Sequence, residues 1–198
     1  MTTQEHRHSA RHSERGFTMI EVLISVVVLT IGLVSLLAMF TVAIAAVNNS
    51  QEDMIAKQEA EEALESIYTA RNTAQITFNS IQNVSNGGIF RDGPQRILDP
   101  GPDGVDGTVD DLNANPYCAG PSQCLVLAGP DGVLGTSDDS YLPLNNYTRT
   151  IAISNVNLPS GAPDLSLRQI TVTVTYYSSQ FKATQKTYSV GAYVSEYR

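Results

Sequence analysis

Between residues 17 and 47 the chain carries one ionisable side chain, Glu21, in a run that is otherwise apolar or weakly polar. About 20 apolar residues cross the hydrocarbon layer of a bilayer, so this run is long enough to span one. A carboxylate inside such a segment costs roughly 2.5–3.5 kcal/mol on insertion scales, which marks Glu21 as a functional group. No proline precedes Pro94, and Gly32 is the only glycine between Phe17 and Asn86. With the usual breakers missing, one helix is expected from Phe17 to about Arg71. Its first half is apolar on every side, as suits lipid or a crowded helix bundle. After Asn48-Asn49-Ser50 the pattern turns amphipathic. Ala56, Ala60, Ala63, Leu64 and Ile67 follow helical spacing, with Glu59, Glu62 and Glu65 read as lying off the stripe. Lys57 and Glu61 are spaced for an i, i+4 pair.

The segment before the run is polar and holds Arg7, Arg11 and Arg15. Positive charge flanks a membrane helix on the cytoplasmic side, so a single pass with the C-terminal part outside the cytoplasm is expected. A secretory signal has a shorter apolar core with its cut site behind it. Here Gly16 precedes the core, and a cut there leaves the helix on the mature chain.

The stretch Arg15-Gly16-Phe17-Thr18-Met19-Ile20-Glu21-Val22-Leu23, a short basic leader joined to an apolar helix, resembles the N-termini of type IV pilins and of the pseudopilins of type II secretion. The resemblance covers roughly residues 15–47. It implies cleavage between Gly16 and Phe17 by a prepilin peptidase, and methylation of the new N-terminal Phe17. It also implies docking of Glu21 onto a neighbouring subunit. The implied location is the bacterial inner membrane, then a pilus or periplasmic filament. The implied partners are other pilin subunits, an inner-membrane assembly platform and membrane lipid. Ile31-Gly32-Leu33 looks more like the V-type minor pilins, or minor pseudopilins, than a major pilin. The cysteines lie mid-chain, unlike the C-terminal disulfide loop usual in that family.

All three histidines, His6, His8 and His12, sit in the leader, so a mature chain has no imidazole for general-base catalysis or metal ligation. No nucleophile or oxyanion site is assembled elsewhere, and the chain is read as a non-enzyme. Its net charge of −8 supplies no overall basic field and argues against a nucleic-acid partner.

Residues 73–146 are rich in loop formers and contain an internal repeat. Gly101-Pro102-Asp103-Gly104-Val105-Asp106-Gly107-Thr108-Val109-Asp110-Asp111 recurs as Gly129-Pro130-Asp131-Gly132-Val133-Leu134-Gly135-Thr136-Ser137-Asp138-Asp139. Closely spaced aspartates among glycines suit a hard cation with 6–8 oxygen ligands, although the spacing is not that of an EF-hand. The suggested calcium ligands are Asp99, Asp103, Asp106, Asp110 and Asp111 in the first copy and Asp131, Asp138 and Asp139 in the second. Ordinary Asp-Gly turn chemistry in two similar hairpins is the alternative. No cofactor is otherwise required. Cys118 and Cys124 enclose five residues, and a disulfide is expected in an oxidising compartment.

The C-terminal part reads as strands at 147–153, 169–177 and 182–194. In the second, Ile170, Val172, Val174 and Tyr176 alternate with threonines. Ser178-Ser179-Gln180 suggests a hairpin turn. The expected fold is α+β, a long N-terminal helix packed on a C-terminal antiparallel sheet with a loop-rich insertion. The expected segments are a leader (1–16), a membrane or filament-core helix (17–47), its amphipathic half (48–72), the loop region (73–146) and the sheet (147–198). The expected function is a structural subunit, in minor proportion, of a type IV pilus or pilus-like filament. A minor pseudopilin of type II secretion and a tip adhesin or ligand-binding pilin are the alternatives.

Overall fold

The computed structural model describes residues 16–112, 116–118, 120–178 and 184–197. The leader before Gly16, with its histidines and arginines, lies outside the described residues, as do Ser179, Gln180 and Lys182. Helix α1 runs unbroken over Met19–Asn72, and the chain divides into two compact units, residues 1–45 and 46–198.

In the first unit α1 is long and apolar enough to cross a membrane, with a mean hydropathy of 2.8 over its most apolar window. None of that window is buried within the chain. Ser25, Thr30, Ser35 and Thr41 turn their hydroxyls back onto carbonyls three or four residues earlier, so these polar groups are satisfied inside the helix.

In the second unit the remainder of α1 buries Ala56, Ala60, Ala63, Ile67 and Ala70, with Leu64 half-buried beside them. Glu59 departs from the reading of the sequence: it is 1% exposed. It stands three residues after Ala56 and four before Ala63, so helical periodicity puts it within the stripe rather than off it. Glu62 and Glu65 are exposed. Lys57 and Glu61 pair at 3.8 Å on the open face. The helix ends in a Schellman-type turn. Gln75 N–H reaches the Ala70 carbonyl at 2.9 Å, and Ala74 takes a left-handed φ of 61° where glycine is usual.

The stripe packs on a four-stranded antiparallel sheet of order β1-β4-β5-β6. Its strands are β1 (Gln95–Arg96), β4 (Tyr147–Asn157), β5 (Pro163–Tyr177) and β6 (Gln185–Ser195). Tyr147, Arg149, Ile151 and Ile153 of β4 and Arg168, Ile170, Val172, Val174 and Tyr176 of β5 face the core at period two. β4 and β5 are longer than the sequence suggests. The extra residues of β4, around Ser154 and Asn155, are polar and carry no alternating signal, whereas those of β5 do alternate, Leu165 and Leu167 with Asp164, Ser166 and Arg168. Tyr68 and Arg71 fasten the end of α1 to the Tyr193 carbonyl of β6 and the Glu196 carbonyl just beyond that strand, both at 2.8 Å.

The loop region holds two ordered features, the first of the hairpin kind that the turn-chemistry reading of the repeat allows. Strands β2 (Cys124–Leu127) and β3 (Ser140–Pro143) form a separate hairpin. Asn83, held between two single-turn 3-10 helices (Phe78–Ser80 and Val84–Asn86), acts as a surrogate strand. Its amide nitrogen donates to the Ile151 carbonyl at 2.7 Å, and its oxygen accepts from Ile153 N–H at 2.9 Å. One side chain thereby closes the edge of β4 beyond the two residues of β1.

Candidate functional site

At the start of α1, Thr18 is the N-cap. Its hydroxyl oxygen accepts from Glu21 N–H at 3.3 Å, and its carbonyl accepts from the same group at 3.0 Å. Thr18 and Glu21 thus stand at the spacing of a capping box, with the acid in the first turn where the helix dipole favours negative charge. Phe17 is 81% exposed, and Gly16 is exposed before it. The Glu21 carboxylate makes no hydrogen bond or ion pair with the described residues. Gly16, Phe17 and Glu21 are therefore exposed at this end of the helix.

The two Asp-Gly loops have the same internal hydrogen bonding, displaced by a constant register. In the first, Val105 N–H donates to Asp103 Oδ1 at 2.9 Å and Gly107 N–H to Asp111 Oδ2 at 2.7 Å. The Thr108 hydroxyl donates to Asp110 Oδ1 at 2.5 Å. In the second, Val133 N–H donates to Asp131 Oδ1 at 2.8 Å and Gly135 N–H to Asp139 Oδ2 at 2.6 Å. The Thr136 hydroxyl donates to Asp138 Oδ1 at 2.5 Å. The equivalence extends to the closing pairs, Asp99 with Leu112 and Leu127 with Ser140. Both loops are thus hairpin tips whose carboxylates cap their own backbone N–H groups. The threonine hydroxyls hold Asp110 and Asp138 below the usual carboxylate range, while burial pushes Asp111 up. Among the described residues no three histidine, cysteine, aspartate or glutamate side chains are gathered to hold a metal ion. The eight aspartates proposed as calcium ligands are not brought together in that way.

The loops differ in what they touch. Asp106, a suggested calcium ligand, is 2% exposed, and Arg149 Nη2 donates to it at 2.7 Å. Arg149 Nη1 meets the Glu59 carbonyl at 3.4 Å and its Oε2 at 4.0 Å, and Asp106 N–H donates to the Ser66 hydroxyl at 3.2 Å. This buried node joins α1, the first loop and β4. The second loop has Leu134 in place of Asp106, and both Val133 and Leu134 are more than half exposed. Burial pushes the Glu59 carboxyl up to about 7, against the pull of Arg149; Glu62, Asp106 and Asp99 add to the rise.

Cys118 and Cys124 are joined in a disulfide with Cα atoms 5.7 Å apart, and Cys124 opens β2. The buried charges Arg149 and Arg168 escaped the sequence reading, and Glu59 was read as lying off the stripe. The signal for the two arginines was their period-two alignment with Ile151 and Ile170, which places them on the core faces of their strands.

Residues 11–37 match the family model described as the prokaryotic N-terminal methylation motif. No curated protein and no solved structure matches the chain. The methylation motif, the long apolar helix that follows it and the antiparallel sheet behind that helix together fit a type IV pilin-like prepilin.

Proposed function

We propose that the chain is a non-catalytic structural subunit, in minor proportion, of a type IV pilus or pilus-like filament. It waits in the inner membrane and assembles through α1 after cleavage behind Gly16 and methylation of Phe17. The observation that carries this reading is an apolar helix surface, unburied within its own chain, that begins with an unpartnered carboxylate. Lipid covers such a surface before assembly and the helices of neighbouring subunits cover it afterwards, so its apolar area stays out of water in both states. Glu21 is the exception, because a lone charge is costly in a dry bundle unless it finds a partner. The free amine that cleavage creates at Phe17 of an adjacent subunit supplies one. Calcium does not enter this reading, because the loop carboxylates already cap their own hairpins.

Glu21→Ala is expected to insert in the membrane at normal levels and to be absent from sheared filaments. Normal incorporation of that variant would remove the pairing from the mechanism. The Ile31-Gly32-Leu33 signature also suits a minor pseudopilin of a type II secretion system, which assembles by the same chemistry. Deleting the chain's gene then abolishes protein secretion while surface filaments persist, whereas loss of surface filaments alone favours the pilus.

A further inference from the structure

At the far end of the four-stranded sheet the β4–β5 register shifts between Asn155 and Val156. Irregularities of this kind re-aim side chains and recur beside binding sites. Here they flank a cleft of about 420 Å³ lined by Gln82, Asn86, Ile153, Ser154, Asn155 and Arg168. Arg168 is the only charged residue in that lining, and it is 5% exposed.

The guanidinium is half engaged. Nη1 donates to the Phe78 carbonyl at 2.6 Å and the Ile81 carbonyl at 2.5 Å, and the group stacks 4.3 Å from the centre of the Phe78 ring. Nε is buried without a partner, and Nη2 makes no hydrogen bond to the described residues. Nε is shut off from the cleft, so Nη2 is the guanidinium nitrogen left to donate a charge-assisted hydrogen bond to a carboxylate. No carboxylate among the described residues lies within ion-pair distance of it. The carbonyls hold the group in place without an ion pair, and Glu196 acts on its charge only from a longer range. Around it, the side chains of Asn86, Ser154 and Asn155 are exposed and free of hydrogen bonds to the described residues, and Ile153 gives a buried apolar floor. Amides and a hydroxyl beside an arginine N–H donor match a ligand bearing one carboxylate and several hydroxyls.

We propose that this cleft binds a hydroxyl-rich carboxylate, the chemistry of a uronic acid, with Arg168 on the carboxylate and Asn86, Ser154 and Asn155 on the hydroxyls. The site is independent of the assembly chemistry at Glu21, so a filament subunit of either kind can carry it.

The test is titration of the full chain in detergent with sodium glucuronate, followed by calorimetry and by the side-chain amide signals of Asn86 and Asn155. Saturable binding is expected in roughly the millimolar range or tighter, with glucose at least about tenfold weaker. An Asn86→Ala, Asn155→Ala double variant is expected to keep its melting temperature and to bind about fivefold more weakly or worse, as the loss of ordinary hydrogen bonds implies. Both side chains are exposed and unbonded, so this variant tests binding without threatening the fold. Arg168→Lys keeps the charge but loses the rigidly placed Nη2 donor, and is expected to abolish the preference for glucuronate over glucose. Absence of saturation, equal binding of glucose, sulfate binding as tight as glucuronate, or undiminished binding by the double variant would each overturn the proposal.

Discussion

Gly107 and Gly135 occupy the same place in the two Asp-Gly loops, with φ of 83° and 89°. A side chain in this left-handed region costs roughly 1–2 kcal/mol. Their surroundings differ. A Cβ on Gly107 would run into the end of the Ile151 side chain, whereas one on Gly135 would meet nothing within 4 Å. Gly135→Ala should therefore lose only the backbone term, and Gly107→Ala should lose an additional ~1–3 kcal/mol from overpacking against β4. Denaturant unfolding of the two variants measures the difference. Equal losses would mean that Ile151 swings aside without cost. The repeat itself was legible in the sequence, down to which glycines recur. Its unequal embedding was not, because that depends on Arg149 and Ile151, more than forty positions away, reaching the first copy alone.

The element most in need of explanation is the amphipathic part of α1, which buries a glutamate among alanines. The stripe was readable from spacing, and Glu59 was misplaced because charge was allowed to outweigh periodicity. Its carboxyl titrates near 7 when folded, against an ordinary value of 4.5. The folded chain thus holds a proton at Glu59 that the unfolded chain has released between those values. The stability this confers is fully present below about 4.5 and is lost as pH rises through 7. Arg149, Asp106, Asp99 and Glu62 face the same group and set how far it is shifted. Glu59→Gln mimics the protonated form. The variant should match the parent near pH 5 and exceed it at pH 8 by an amount on the order of 3 kcal/mol. Parallel stability curves for the two proteins across that range would show that Arg149 keeps Glu59 ionised throughout.

For the whole molecule, the decisive fact is where the core begins. Among the described residues every buried apolar one lies at Ala56 or beyond, while large side chains such as Leu29 and Phe40 remain more than 60% exposed. A contiguous apolar surface of this extent marks a membrane or protein contact, and the chain alone cannot bury it. The fold class was legible because both of its signals, an unbroken apolar helix and alternating strands, are local in sequence. The β2–β3 hairpin was open to the sequence only as the alternative reading of the repeat, and the Asn83 edge closure was not legible, because its partners Ile151 and Ile153 lie some seventy positions away. It follows that residues 46–198 contain everything needed to fold. Asn48, Asn49 and Ser50 offer N-cap side chains near the new helix start. Asn49 itself accepts from the Ser178 hydroxyl at 2.8 Å, and just beyond these three residues Asp53 pairs with Lys186 at 2.9 Å and accepts from the Tyr176 hydroxyl. A chain beginning at Ala46 should be soluble without detergent and unfold in one cooperative step. Its melting temperature should lie within about 5 °C of the full chain, since each kcal/mol lost shifts a domain of this size by only ~2–4 °C. Aggregation, or a melting temperature far below that of the parent, would mean that the apolar part of α1 stabilises the second unit as well as anchoring it.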